Sequence, residues 1–205
     1  MIYIYGSGGH ARVVADAALA CGLEIAGFFD DDPARWGSFV MEAPVLSPQG
    51  IEPGDFVAAI GSGGVRQKVA SRLLGAGWRL RSLIHPRGCV SPRARLEAGV
   101  FVAAMAVVGP DAQVGEGAIV NHGAVVDHDC DVGAYAHVAP NATLGGGARL
   151  GVRAMAGAGS VLLPQVSLGD DALLGAGAVA TRDLAAGMKA AGAPARPLPE
   201  RSGKA

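Results

Sequence analysis

Between Asn121 and Cys130 the chain gathers two imidazoles, two carboxylates and one amide in ten residues, Asn121-His122-Gly123-Ala124-Val125-Val126-Asp127-His128-Asp129-Cys130. An imidazole beside a carboxylate is oriented and made more basic, which suits it to taking a proton from an attacking group. Asp129 directly follows His128, so this pair is read as a functional site rather than as surface decoration. His137, nine residues on, is expected in the turn that closes the next structural repeat. A metal reading would need ligands converging on one point. His122 and His128 are six residues apart and are expected on neighbouring faces, which argues against it. Cys130 falls on a small-residue position, where packing is a better account than nucleophilic chemistry.

What holds these residues is a six-residue rule. Stepping by six from Ile84 meets Val90, Leu96, Val102 and so on to Leu174, with Ala156 the one small member. Four residues after most of these stands a small side chain, as at Ala94, Ala112, Ala124, Ala142 and Ser160. Gly often follows the aliphatic directly, as at Gly109, Gly115, Gly133, Gly145 and Gly151. Period six fits neither an α-helix nor a simple alternating strand. It fits a hexapeptide β-helix, in which three hexads close one triangular coil. The aliphatic points into the prism, the small residue fills the space beside it, and glycine is expected to relieve the corner. Coils stack about 4.8 Å apart, so residues eighteen apart lie one above another. Gly146 is therefore expected beside His128 on the next coil, where a backbone N–H would stabilise an oxyanion. A low-complexity Gly/Ala segment would not hold phase over so many hexads. The small residues Ala103, Ala104 and Ala106 are a candidate contact surface between chains.

Ahead of the repeat lies a different pattern. Ile2 to Tyr5 reads as a buried strand, followed by Gly6-Ser7-Gly8-Gly9-His10-Ala11 and a helix that runs to about Cys21. Strands are expected over 24–29, 56–60 and 78–84, with a second helix over 65–75. The alternation predicts a small parallel, Rossmann-like βαβ domain. Its first turn has the Gly-x-Gly-x-x-Ala form with acidic residues Asp30-Asp31-Asp32 about twenty positions on. Such a turn lets backbone N–H groups and a helix N-terminus hold a pyrophosphate while a carboxylate takes hydroxyls. Only about eighty residues precede the repeat, too few for both halves of a dinucleotide fold. A nucleotide-diphosphate site is favoured over a nicotinamide site, with a ligand-free tight turn as the remaining alternative. The expected organisation is 1–83, a Rossmann-like nucleotide-binding α/β domain; 84–185, a parallel β-helix; and 186–205, a tail.

Composition removes other classes. A net charge of −1 gives no electrostatic footprint for nucleic acid. No apolar run reaches membrane-spanning length, and the chain opens on a strand rather than a signal peptide. Three cysteines without metal-like spacing suit a reducing cytoplasm.

The combination of Tyr5-Gly6-Ser7-Gly8-Gly9-His10, Asp30-Asp31, Ala59-Ile60-Gly61, Ser82-Leu83-Ile84-His85-Pro86 and the 121–130 cluster resembles one family. It is that of the bacterial sugar O-/N-acyltransferases, typified by the bacillosamine-pathway UDP-4-amino-sugar N-acetyltransferase. Relatives act on GDP-perosamine, and a branch is described as sialic acid O-acetyltransferases. The resemblance spans residues 1–198. It implies a left-handed coil, a homotrimer with sites between subunits, and acetyl-CoA as co-substrate with no metal. It implies that His128 is the general base, Asp129 the acid that tunes it (Glu in the bacillosamine enzyme), and Gly146 the oxyanion donor. His137, Ala158 and Ala176 would contact acetyl-CoA, near the segment Gly192-Ala193-Pro194-Ala195-Arg196. Gly8, Gly9, His10, Asp30 and Asp31 would hold the nucleotide-sugar, with Arg66 near its phosphates. The implied activity is N-acetylation of a nucleotide-linked 4-amino-4,6-dideoxyhexose. O-Acetylation of a sugar of the sialic acid type, or nucleotide-sugar binding without catalysis, remain the alternatives.

Overall fold

The computed structural model describes residues 1–199, so the last part of the expected tail, 200–205, lies outside the described residues. The N-terminal part is one six-stranded sheet. It comprises β1 (Ile2–Tyr5), β2 (Ile25–Phe29), β3 (Phe39–Val40), β4 (Ala43–Leu46), β5 (Asp55–Ala58) and β6 (Arg79–Leu80), in the order β3-β4-β2-β1-β5-β6. Pairing is parallel except between β3 and β4. Helix α1 (Gly9–Ala20) follows β1, and α2 (Gly63–Gly75) follows β5. The order reverses between β1 and β5, and both helices begin at that switch point. Ligands of open α/β sheets sit in the crevice at such a place.

The antiparallel β3–β4 pair was not legible in the sequence. Its turn puts Met41 and Glu42 at φ 46° and 70°, with none of the Gly or Asn that marks such a turn. The strand expected over 78–84 is two strands. Arg79–Leu80 closes the domain sheet, whereas Leu83–Ile84 is the first rung of the solenoid.

From Leu83 onward the chain forms two-residue strands every six residues, stacked in parallel at a register of eighteen. Three sheets result. The first face runs from Leu83–Ile84 through Phe101–Val102, Ile119–Val120 and His137–Val138 to Leu173–Leu174. The second runs from Cys89–Val90 to Val179–Ala180, and the third from Arg95–Leu96 to Ser167–Leu168. The second residue of each strand points inward, and the aliphatic column from Val102 to Leu174 is almost wholly buried. Coil geometry continues past residue 185. Lys189–Ala191 stacks on Leu173–Leu174, and Arg196–Pro197 returns antiparallel beside it.

Glycine's role in the repeat differs from the expectation. A Cβ at Gly109 would stand 2.8 Å from the Asp127 carbonyl carbon and the His128 nitrogen, so glycine there permits backbone-to-backbone stacking of coils. The left-handed corner falls two residues later, at every sixth position. Met105, Asp111, Asp129, Tyr135 and Asn141 occupy it at φ 57–63° alongside glycines such as Gly117 and Gly123. Most corner amides donate to a carbonyl one coil earlier, as Asp129 does to Pro110 at 3.1 Å, and this bond repeats along each edge.

The residue before each inward aliphatic faces out, and the three faces differ there. The first face presents Leu83, Phe101 and Ile119, buried against Ala11, Val14, Ala15 and Ala18 of α1. The third presents Arg95, Gln113, Asp131 and Arg149, all exposed. The second presents Val107, Val125, Thr143, Val161 and Val179, half-buried or exposed, and none of them belongs to a buried cluster of the described residues. The contact surface expected at Ala103 and Ala106 is not free. Ala103 is buried in the interdomain cluster and Ala106 lies inside the prism.

Candidate active site

His128 stands on the corner between the second and third faces, with its side chain 58% exposed. Its Nδ1 lies 2.7 Å from Asp129 Oδ2, and its backbone N–H donates to Asp127 Oδ1 at 2.7 Å. The left-handed backbone at Asp129 turns the carboxylate back onto the preceding ring. The hydrogen bond that the ring donates to Asp129, then the charge of Asp127, raises the imidazole pKa above its ordinary value. With Nδ1–H donating to Asp129, Nε2 is left without a partner among the described residues, lies toward Gly146 and can accept a proton. Gly146 lies against this ring, as the eighteen-residue register requires. A Cβ there would come within 2.6 Å of His128 Cε1. The Gly146 N–H has no acceptor among the described residues, while its carbonyl accepts from Gln165. Cys130 is buried in the prism, its thiol turned to the carbonyls of Leu144 and Gly145, and burial pushes its pKa up.

The second group of residues lies on the first face. His137 is not in a turn. It opens the strand His137–Val138 and faces outward beneath the N-terminal domain, because the position before an inward aliphatic is always outward. Its Nδ1 is 3.3 Å from the Gly61 carbonyl and its Nε2 is 3.1 Å from Asn121 Nδ2. With Nδ1–H donating to the carbonyl, Nε2 accepts from the amide. The ring of His10 is 6.2 Å away and edge-on to Phe101, and its buried Nε2 has no partner among the described residues. Burial, followed by the charge of neighbours including Arg66, lowers both histidines to about 4. Both are therefore neutral near pH 7. Asn121 was in the cluster read from sequence without a role. Its signal is an amide at the position that many hexads give to glycine, directly after the aliphatic.

Gly8 caps α1, and a Cβ at Gly8, Gly9 or Gly61 would meet nothing within 4 Å. Open space therefore lies over the N-terminus of α1 and the loop before α2, at the switch point. Asp30 lines its rim. Burial opposes ionisation there, but hydrogen bonds from Ser7 and the Asp32 amide, with Arg35 nearby, hold its carboxyl below the usual value. The Asp31 carboxylate is taken up by the Tyr5 hydroxyl at 2.5 Å and Arg72 at 2.9 Å. Arg66 does not face the opening. It is 1% exposed, and its guanidinium is spent on main-chain carbonyls beneath the loop.

Ala158 and Ala176 are exposed on the edge between the first and second faces, in the column of His122 and Pro140 joined by corner bonds. His128 is on the other edge of the second face. Among the described residues no group of three or more His, Cys, Asp or Glu converges to hold a metal, and no helix is long and apolar enough to cross a membrane.

Comparison with known proteins places these features. Residues 1–73 match the PglD N-terminal domain family, and 111–146 match the bacterial transferase hexapeptide repeats. The perosamine N-acetyltransferase of Caulobacter crescentus, solved with CoA and GDP-perosamine, is 38% identical over 97% of both chains, with a TM-score of 0.91. The chain belongs to the hexapeptide-repeat sugar acetyltransferases. The acetyltransferase domain of PglB from Neisseria gonorrhoeae, solved with acetyl coenzyme A, is 38% identical over 96% of this chain and 98% of its own, at a TM-score of 0.90. WeeI from Acinetobacter baumannii is 25% identical over 97% and 99%, at 0.89. Sugar acetyltransferases of this kind thus share both the α/β domain and the left-handed β-helix with this chain.

Proposed function

We propose that this enzyme moves an acetyl group from acetyl-CoA to the amino group of a nucleotide-linked 4-amino-4,6-dideoxyhexose in the cytoplasm. One observation carries the chemistry: an exposed imidazole bonded to Asp129 at 2.7 Å, with a backbone amide lacking an acceptor against its ring. Nucleotide-linked amino sugar as substrate is supported by the GDP-perosamine complex of the Caulobacter relative. Acetyl-CoA as co-substrate is supported by the Neisseria complex.

In this mechanism the sugar amine attacks the thioester carbonyl carbon. His128 Nε2 takes the amine proton as the C–N bond forms, and the oxyanion forms against the Gly146 N–H. The C–S bond then breaks, and the same proton passes to the departing CoA sulfur. General base catalysis of this kind supplies about 10²–10⁴-fold, and alignment of the two substrates supplies much of the rest. Direct transfer is favoured over an acyl-enzyme, because the only nearby thiol is sealed in the prism.

The prism itself implies that the site is shared. The corner bearing His128 is the one opposite the first face, where the N-terminal domain sits. A sugar held at Gly8, Gly9 and His10 is therefore on the far side of the prism from the same chain's His128. A second copy packed on the second face would bring another domain, with its His137 and with the edge that carries its Ala158 and Ala176, to that corner. Closed head-to-tail packing of three copies completes three such sites. The bare valine stripe of the second face is the surface that suits this contact.

The test is CoA release with GDP- and UDP-linked 4-amino-4,6-dideoxyhexoses, with product mass to verify one added acetyl group. His128→Ala is expected to lower kcat by at least about 10²-fold while acetyl-CoA still binds. No acetylation of any nucleotide amino sugar by the wild-type protein would overturn the reading.

A further inference from the structure

The loop between β5 and α2 is held from below by one side chain. Arg66 donates Nε–H to the Gly117 carbonyl at 2.7 Å. Nη1 reaches the carbonyls of Ile60 and Gly61 at 2.6 and 3.1 Å, and Nη2 those of Tyr135 and Ala136 at 2.6 and 3.1 Å. A guanidinium has five N–H donors in a fixed fork, and here five carbonyls take them. Two acceptors belong to the loop of the α/β domain and three to the edge of the solenoid. No carboxylate lies within ion-pair distance of Arg66 among the described residues, which is unusual for a charge this deeply buried.

The same loop touches the solenoid directly. A Cβ at Gly63 would stand 2.5 Å from the Tyr135 carbonyl oxygen and 3.1 Å from Arg153 Cα, so main chain meets main chain. His137, from the first face, also reaches the Gly61 carbonyl at 3.3 Å. The upper side of Gly61 is open. A loop clamped from the solenoid side and open on the cleft side can transmit the solenoid's position to whatever lies in the cleft.

We propose that Arg66 is a positioning residue, which fixes the Ile60–Gly63 side of the nucleotide-sugar cleft at a set height on the solenoid. The sugar amine is thereby aligned with the thioester held on the solenoid, although Arg66 touches neither substrate. This rests on the reading of the cleft as the nucleotide-sugar site. Burial holds the Arg66 pKa near 10, so it stays charged across the working pH range and its carbonyl partners are always engaged.

Arg66→Lys keeps the charge but has three donors radiating from one atom, which cannot span both sets of carbonyls. A shift of about 1 Å in substrate position costs about 10²-fold, so kcat/KM for the nucleotide amino sugar is expected to fall by about that factor. KM for acetyl-CoA is expected to stay at the wild-type value. A lowered melting temperature with unchanged kcat/KM for the sugar would reduce Arg66 to a brace and overturn the proposal.

A wild-type measurement covers the case in which the variant does not fold. Arg66 is the one buried arginine among the described residues, so its Nε–H is expected to be the slowest to exchange in an arginine side-chain ¹⁵N spectrum. Titration with GDP or UDP is expected to shift that resonance, because the loop it holds carries the ligand. Calorimetric binding without a shift overturns the Arg66 proposal alone. Absence of GDP and UDP binding overturns the nucleotide reading and the proposal with it. A shift without acetyl transfer leaves Arg66 standing and removes the transferase reading.

Discussion

Gly146→Ala tests the catalytic geometry with one added carbon. A Cβ at this position would collide first with His128 Nε2, and would stand 2.6 Å from Cε1 and 3.2 Å from Cδ2, whereas ordinary carbon contacts begin at about 3.5 Å. The ring must therefore move by about 1 Å. The Gly146 backbone is not in the left-handed region, so alanine can adopt it. The obstructing atoms are the end of an exposed side chain that swings into solvent. Folding stability is then expected to change by no more than about 0.5 kcal/mol, as for an ordinary surface substitution. Catalysis is different, because a ring displaced by about 1 Å loses alignment with both Asp129 and the oxyanion donor. The expected loss in kcat is about 10²-fold, read by thiol release from acetyl-CoA at saturating sugar, with a melting curve beside it. Wild-type kcat in a folded Gly146→Ala protein would show that no reacting group stands between residues 128 and 146.

Four further outcomes follow from the geometry. Asp129→Asn removes the main cause of the raised His128 pKa, so the acidic limb of kcat/KM against pH is expected to move to lower pH with a reduced plateau; a limb that stays in place would refute the pairing. His10 and His137 are held neutral to about pH 4, below the unfolded value of about 6.5. The unfolded chain therefore binds protons first, and stability is lost as pH falls through that window. Between pH 6.5 and 5 the loss is about 1.5 kcal/mol per histidine, visible in urea melts, and a flat profile there would contradict the burial of both rings. Gly63→Ala forces a Cβ onto the Tyr135 carbonyl with only backbone to yield, and a cost of about 1–3 kcal/mol is expected in the same melts. Val161→Glu puts a charge on the bare stripe of the second face; sedimentation is expected to show smaller species with little CoA release, and unchanged assembly would place the contact elsewhere.

The solenoid was legible because its rule is local and repeats. Once Val126 is known to point inward, the exposure of His128 and the nearness of Gly146 follow by counting six and eighteen. His137 obeys the same count, yet a turn was expected for it. The outward position before each aliphatic carries no type preference, being Phe101, Gln113, Asp131 or His137 in turn, so composition does not announce it. Arg66 was expected near the phosphates only through the family resemblance. Three of its five partners, Gly117, Tyr135 and Ala136, are 51 to 70 residues away, and all five are carbonyls, which have no side-chain signature. The β3–β4 turn was hidden for a similar reason, since Met41 and Glu42 take backbone angles that residue type does not suggest. Elements set by their own sequence were readable, and contacts between the two halves were not.

Stacking at a register of eighteen makes chain length a quantised variable in the solenoid. An in-frame gain or loss of one full coil leaves every column, edge and face intact, while a change of one or two residues rotates all later side chains onto the wrong face. Genetic drift in this region is therefore expected to proceed by whole rungs, and the distance from the catalytic corner to the end of the prism can change only in steps of a single layer.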